Sequence, residues 1–439
     1  MSLLNRTRMA LGDLARHHAA SRLVLSHLFE KVDQIRPAQD VGGKTRSLNR
    51  LTLAARLGSG KRPLDRVETR LRRRLDEWSP DGFQWDRFLP GSQPRTVRKS
   101  IILKKPQPGG EKGVLFVSFE DNWLRLLRHA DVTKLARDYH LIISPTWSPP
   151  HDLPLLLAVK LWPGNLFTTV SSIDDLPAFS RLSSRIITIP LLSSSWVNPD
   201  VFTPDRSQPK KYDIVMVANF ALYKRHFALF RVLRDMSPEI KVVLMGRGWD
   251  GRSRDDLETE ASWFGVKDRL TILEGPTDVE MVRVLSASKV SVIMSKGEGS
   301  CVAIAESLFA DVPVGLLEDA NVGSRVFINE QTGRFLRPRH IAEDLTLLIT
   351  DYAQFHPREW MLEHGKSCRE SSETLNRALK SWSAEHGEPW TVDLAPFHWR
   401  PTARYLAVED ARAMGEEYRR FEREYGVPVE WQDLAYPSI

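Results

Sequence analysis

Only two cysteines, Cys301 and Cys368, occur in 439 residues, too few for a disulfide framework or a cysteine-built metal site, so a reducing compartment is expected. Long apolar runs are missing as well. Spanning a bilayer takes roughly 20 apolar residues, and the longest stretch here, Leu153 to Trp162, is broken by Lys160. The opening residues Met1-Ser2-Leu3-Leu4-Asn5-Arg6 contain no secretory apolar core and no cleavage site, which makes the cytoplasm the expected location. Gly58-Ser59-Gly60-Lys61 suggests a phosphate loop, but the Walker spacing needs a glycine where Ala55 stands and a Ser or Thr where Arg62 stands.

The length exceeds what one core serves and suits two or three domains, and a hydrophobic fraction of 42% is ordinary for a globular chain. Charge is uneven. Residues 1 to 110 hold 23 Lys and Arg against 10 Asp and Glu, and the remainder hold 39 against 46, so the basic character belongs to the amino-terminal region. There Arg66, Arg70, Arg72, Arg73 and Arg74 lie between Pro63 and Pro80, with Leu64, Val67, Leu71 and Leu75 at helical spacing. Such a helix either packs its apolar stripe on its own protein, the simpler arrangement, or lies on an anionic membrane leaflet as a peripheral contact. Nucleic acid is not an expected partner, because no recognition motif or interleaved aromatics accompany the arginines.

After Pro106-Gln107-Pro108-Gly109-Gly110 the pattern alternates between strand and helix. Strands are expected at Gly113–Phe119, His140–Ser144, Leu166–Val170 and Arg185–Ile189, with a helix from Asp121 to Arg137 and a proline-rich loop from Pro145 to Pro154. This reads as one Rossmann-like half, short at about 95 residues, which residues 1–110 either complete or accompany as a separate helical module. Open α/β sheets hold ligands at the carboxyl ends of their strands. Asp121 and Asn122 stand there after the first strand and His151 after the second, and either chemistry or plain loop capping suits each of them.

The stretch Lys296-Gly297-Glu298-Gly299-Ser300-Cys301-Val302-Ala303-Ile304-Ala305-Glu306 carries the most information. A β-branched run, Val290 to Ser295, precedes it, and Ala303 to Ala310 has a helix former's composition, so the unit is strand, glycine loop, helix. That junction aims free backbone N–H groups and the positive end of a helix dipole at a phosphate or a sugar hydroxyl, and Ser300 can cap the helix. Glu306 shares a helix face with Val302, Ala303, Phe309 and Ala310. A carboxylate among them needs a partner, either an internal salt bridge or a ligand such as a ribose diol. Cys301 suits a small buried filler better than a nucleophile.

This stretch resembles the glutamate-seven-glutamate signature of retaining GT-B glycosyltransferases, the large family numbered four. Further segments match in order: Tyr212 to Ala218, Lys224-Arg225-His226, Val242 to Gly248, Leu270 to Asp278, Asp311-Val312-Pro313-Val314-Gly315 and Asn329 to Pro338. The resemblance covers Val201 to Pro338. It implies an α/β fold of the GT-B type, two Rossmann-like domains facing a cleft, with a basic helical region added in front and a carboxy-terminal helix, Thr402 to Tyr425, crossing back as a brace. The implied boundaries are 1–110, 111–205, 206–396 and 397–439.

The resemblance also implies roles. Glu306 holds the donor ribose, Glu298 and the amides of Gly299, Ser300, Cys301 and Val302 face the donor sugar, and Lys224 binds the diphosphate. Gly246 and Arg247, in the glycine turn of the next strand, are donor-binding, and Gly275 lies in the loop that flanks the nucleobase. The family's usual arginine before that lysine is replaced by Asn219, so either Arg225 or Arg247 supplies the missing cation or leaving-group stabilisation is weaker. His151 or Asp121 would be the base or positioning group. The implied reaction moves a hexose from a UDP- or GDP-sugar to a glycan or lipid-linked acceptor with retention, without a metal or other cofactor, in cell-envelope polysaccharide synthesis. No Asp-x-Asp pair occurs. Glu298 and Glu306 do not suit a glycosidase dyad, which needs two carboxylates flanking one bond. The alternative is a non-catalytic nucleotide-sugar-binding or assembly subunit, favoured by Asn219 and the short acceptor half. Trp123, Trp147 and Trp249 are the aromatics nearest the strand ends and are expected at the cleft.

Overall fold

The computed structural model describes residues 11–13, 17–35, 41–58, 61–79, 83, 85, 89, 95–145, 150–399 and 402–430. Trp147, Ser59-Gly60, Pro80 and the first six residues, named above, lie outside that set. The chain divides into two compact units, one formed by Leu192–Glu373 and the other by the residues on either side of it.

The discontinuous unit opens with helices α1 (Ala19–Ile35), α2 (Val41–Leu57) and α3 (Lys61–Asp76). The apolar stripe of α3 is turned inward: Val67, Leu71 and Leu75 are buried. Of the two alternatives for that helix, packing of the apolar stripe on its own protein is the one seen. Strands β1 (Ser100–Lys104) and β2 (Gly113–Ser118) follow, then α4 (Glu120–His129), α5 (Val132–Asp138), β3 (Tyr139–Ser144), α6 (Leu153–Leu161), β4 (Leu166–Val170), α7 (Leu176–Leu182) and β5 (Ile186–Leu192). The expected helix from Asp121 to Arg137 is two helices, because Ala130 is extended and Asp131 caps a new start by accepting from the Lys134 N–H at 3.0 Å. The sheet order is β1-β2-β3-β4-β5, with β1 antiparallel and β2, β3 and β4 parallel. Strand β1 falls within the region expected to be helical, and it completes the sheet.

The continuous unit contains β6 (Tyr212–Val217), α8 (His226–Arg234), β7 (Val242–Gly246), α9 (Arg254–Trp263), β8 (Leu270–Glu274), α10 (Asp278–Ser286), β9 (Ser288–Ile293), α11 (Val302–Phe309), β10 (Val314–Leu317), β11 (Gly333–Leu336), α12 (Ile341–Thr350) and α13 (Pro357–Glu363). Its strands are parallel in the order β11-β10-β9-β6-β7-β8. This is the doubly wound arrangement, and the order reverses between β6 and β9. The central strands read as apolar runs because both faces are covered: Ile214, Val215, Val243, Leu244, Val290 and Val292 are all fully buried. Gly246 is required by close approach, since a Cβ there would stand 1.8 Å from the Ala218 carbonyl oxygen. Gly275 is required by its φ of +67°.

Helix α14 (Cys368–Glu385) contains the second division between the units. After it come β12 (Phe397–Trp399), β13 (Ala403–Tyr405) and α15 (Val408–Tyr425). The single helix expected from Thr402 is therefore shorter, because Phe397 to Tyr405 pairs as an antiparallel hairpin. This segment covers the open edge of β1. Tyr418 donates nothing to Ile102 but accepts its N–H at 3.0 Å, and Tyr405 donates to the Ile102 carbonyl at 2.6 Å, so edge groups that would template another strand are satisfied. Lys104 and Glu111 form a fully buried ion pair at 2.5 Å. Glu111 also accepts from the Thr391 N–H at 2.8 Å and hydroxyl at 2.6 Å. Among the described residues, no helix is long and apolar enough to cross a membrane.

Burial alone would raise the Glu111 carboxyl, but Lys104 and Thr391 hold it down to about 2. A carboxylate with a depressed folded pKa stabilises the protein above its unfolded value, and that contribution disappears as pH falls from about 4.5 to about 2. Glu111→Gln, which leaves Lys104 buried and unpaired, is expected to cost about 3–5 kcal/mol in denaturant unfolding at neutral pH, and to remove much of the acid sensitivity in that window.

Candidate functional site

The reversal point of the continuous sheet brings two loops together, Ala218 to Arg225 after β6 and Met294 to Cys301 after β9. Both end in a residue with left-handed backbone, Arg225 at φ 61° and Cys301 at φ 55°, immediately before α8 and α11. Non-glycine residues in that region are strained and concentrate where the chain serves a ligand. The loops are joined by Lys224, whose Nζ lies 2.5 Å from Glu298 Oε2, with side chains only 13% and 9% exposed. Burial opposes the charge on Lys224, but Glu298 outweighs it and holds the ammonium above its ordinary range. Lys224 also lies over the Tyr223 ring, and the Tyr223 hydroxyl accepts from Asn219 Nδ2 at 3.4 Å.

Around this pair, buried polar atoms lack hydrogen-bond partners: Asn219 Oδ1, both ring nitrogens of His226, Ser295 Oγ and Glu298 Oε1. Such atoms are few in native proteins, and each needs a reason. His226 opens α8 with its ring set edge-on to Phe220. Burial and then the positive charges of Arg252 and Lys224 push its imidazole down to about 3, so at neutral pH it is uncharged, one nitrogen a donor and the other an acceptor. Four residues, three in the two loops and His226 at the start of α8, thus offer unmet hydrogen-bonding capacity beside a buried cation–carboxylate pair. That suits a polyhydroxylated, anionic ligand.

The structure sorts the remaining expected residues. Glu306 is buried on α11, and Val302 opens that helix. Gly299 is buried, and its carbonyl accepts from the Gly323 N–H at 2.7 Å. Ser300 does not cap α11. Cys301 holds the N-cap position without a side-chain bond, and Ser300 Oγ instead accepts the Ser194 N–H at 2.9 Å and donates to the Ser194 hydroxyl at 2.8 Å. Cys301 is buried, and burial and then Glu298 push its thiol well above the usual range. Arg225 is buried, whereas Arg247 is exposed. Gly246 serves the strand contact with Ala218, and Gly275 donates its N–H to the Gly246 carbonyl at 2.7 Å. Trp249 is 56% exposed at the tight turn it forms with Arg252.

In the other unit, Asp121 is exposed in the first turn of α4, 3.4 Å from Arg125. His151 is buried and bound by its Nε2 to Glu68 Oε1 at 2.7 Å, and Glu68 also takes the Arg181 guanidinium through two bonds. Burial would raise the Glu68 carboxyl, but His151 and Arg181 hold it down to about 2. His151 is thus held by hydrogen bonding in a network with Glu68 of α3 and Arg181. Trp123 is likewise a core residue, fully buried with its indole N–H donated to the Pro154 carbonyl. His226 and Ser295 were given no role from the sequence. A serine closing an apolar strand and a histidine directly after Lys-Arg at a helix start were the available signals. Among the described residues, no three His, Cys, Asp or Glu side chains are grouped to hold a metal ion.

A doubly wound unit with this site at its reversal point is of the nucleotide-binding α/β class. Residues 199–366, under half of the chain, match the family model of glycosyl transferases group 1. A curated relative, GDP-mannose:cellobiosyl-diphosphopolyprenol alpha-mannosyltransferase of Komagataeibacter xylinus, is 25% identical over 175 residues, 39% of this chain and 43% of that protein. The chain therefore matches less than half the length of that relative. Similar solved structures include sucrose-phosphate synthase of Thermosynechococcus elongatus, at 18% identity and a TM-score of 0.45 over 62% of this chain and 73% of that one. Anabaena HepE in complex with UDP-glucose is similar at 12% identity and a TM-score of 0.48, over 61% and 78%.

Two outcomes are expected of the site without ligand. In unfolding experiments, Lys224→Met and Glu298→Gln each destabilise, and the double variant costs less than their sum, with a coupling of about 1–3 kcal/mol. His226 has a folded pKa of about 3 against 6.5 unfolded, so its contribution to stability is present above 6.5 and is lost as pH falls from 6.5 towards 3. His226→Phe should flatten that part of the stability profile.

Proposed function

We propose that this protein is a glycosyltransferase that moves a hexose from a nucleoside-diphosphate sugar to a glycan or lipid-linked acceptor with retention of configuration. The observation that carries the reading is the set of unpartnered atoms on Asn219, His226, Ser295 and Glu298 in the loops that Lys224 and Glu298 join. The group 1 match over the same segment supports it.

Breaking the anomeric bond puts negative charge on the β-phosphate and positive character on the sugar ring. Lys224 answers the first, and stabilisation of developing charge in a preorganised site is where such catalysis gains most. A diphosphate competes with Glu298 for the Lys224 ammonium. Once it wins, Glu298 is released to accept from the sugar hydroxyls, while neutral His226 and Asn219 bind further hydroxyls or phosphate oxygens. Glu306 takes the ribose diol. Arg225, which is buried, is the candidate for the cation missing at Asn219, since the Arg247 side chain is exposed. Asp121 is the exposed carboxylate at a strand end of the acceptor half. No metal or cofactor takes part. The donor and its acceptor would be met at the cytoplasmic side.

GDP-mannose, named for the Komagataeibacter relative, is the first donor to test. Thermal unfolding with GDP, UDP, ADP and TDP and their sugars should show stabilisation by one base alone, worth about 2.7 kcal/mol at about 100 times the dissociation constant. Lys224→Ala and Glu306→Ala should abolish it. Slow release of nucleoside diphosphate without acceptor is the expected sign of turnover. Binding without any such release would favour the assembly-subunit alternative, and no shift with any nucleotide would overturn the donor site.

A further inference from the structure

The start of α11 runs against local preference. The helix begins after Cys301, whose backbone is left-handed at φ 55° and whose side chain makes no capping bond. A non-glycine residue in that region is strained, and a helix without a cap forgoes a bond to one of its first N–H groups. The relaxed alternative lies one residue away. With Cys301 in helical conformation, Ser300 would be the N-cap, and its hydroxyl would accept from the N–H of Val302 or Ala303, two and three positions on.

Three serines prevent this. Ser194, from the short turn Ser193–Trp196, Ser300, and Ser324, from the turn Gly323–Phe327, are each wholly buried. The Ser300 hydroxyl accepts the Ser194 N–H at 2.9 Å and donates to the Ser194 hydroxyl at 2.8 Å. The Ser324 hydroxyl stands 2.8 Å from the Ser194 hydroxyl and is bonded to the Ser300 carbonyl, which also accepts the Ser324 N–H at 3.0 Å. Ser300 is thus gripped by side chain and main chain together. The residues before it are tied along the same segment: Asn321 donates to the Lys296 carbonyl at 2.9 Å and accepts the Glu298 N–H at 3.0 Å, and Gly323 donates to the Gly299 carbonyl at 2.7 Å. Turning Ser300 towards the helix would strip the buried Ser194 N–H of its acceptor, which is costly in a dry site.

The end held open is the accessible one, since Val302 and Ala303 are the residues of α11 that are not buried. We propose that Ser194 and Ser324 are positioning residues, which keep Ser300 away from the cap so that the first N–H groups of α11 remain available to a phosphate or sugar oxygen of the donor. The proposal rests on the donor reading of this loop and adds the device that keeps it receptive. Without the cluster, α11 would lengthen by one residue and cap itself. A cluster that only packs the loop has the opposite consequence, because its loss would loosen the helix start.

The test follows amide hydrogen exchange in the first turn of α11 without ligand, and calorimetric titration with GDP-mannose and UDP-glucose, in the full chain. In Ser194→Ala the Val302 and Ala303 amides are expected to exchange about fivefold more slowly than in the wild type, and affinity for the nucleotide sugar that the wild type binds should fall about tenfold. Ser300→Ala and the double variant have no hydroxyl to cap with, so neither should gain that protection, and the double variant should recover most of the affinity lost in Ser194→Ala. Ser324→Ala should act in the same direction as Ser194→Ala more weakly, and it serves if Ser194→Ala does not fold. Faster exchange at Val302 and Ala303 in these variants overturns the proposal, as does a nucleotide-sugar affinity equal to that of the wild type. Slower exchange in a chain whose wild type binds neither nucleotide sugar supports the role of the serines and puts the fault in the donor reading.

Discussion

The continuous unit depends on one ion pair. Lys224 and Glu298 come from loops that the sheet order brings together only because it reverses between β6 and β9. Without the pair, each loop would hold a buried charge with no answer to it, which costs several times what an exposed charge would. The left-handed residues Arg225 and Cys301 follow from the same requirement. Each lets the chain leave the pair directly into a helix, so that α8 and α11 begin at the site. Unmet polar atoms and strained backbone are destabilising on their own. They are sustained here by the apolar strands beneath, of which Val215, Leu244, Val290 and Val292 are wholly buried.

The discontinuous unit uses charge differently. Its buried carboxylates Glu30, Glu68 and Glu111 are all matched by Arg, His or Lys, and each ties together segments remote in sequence. Glu68 on α3 holds His151 from the loop after β3 and Arg181 from α7, and Glu111 holds the chain near Thr391. Paired burial of this kind gives registration more than net stability. It also explains the basic amino-terminal region in part, because several of its arginines are consumed internally.

Apart from the antiparallel β1, the strands of both sheets were legible because parallel strands covered on both faces read as largely apolar runs, as Val242 to Gly246 does. The signature loop was legible because glycine, serine and two carboxylates in that order have few other uses. What escaped was tertiary. Periodicity in Asp121 to Arg137 continues through Ala130, so nothing local reveals the break there. His151 has the chemistry of a base, and only the structure shows Glu68 against it. The composition of α1 gives no hint of which face turns inward, since the arginines that attract Glu30 and Asp33 lie on other helices.

The covered edge of β1 has a consequence for how the chain assembles. Ile102 is capped by Tyr405 and Tyr418, the Leu103 carbonyl accepts the Ala395 N–H, and Val97 is bridged to Val429. Everything that closes this edge lies after residue 373, whereas the continuous unit is complete at that point. During synthesis the later-encoded unit can therefore finish folding first, while the outer edge of β1 stays open until α15 has been made.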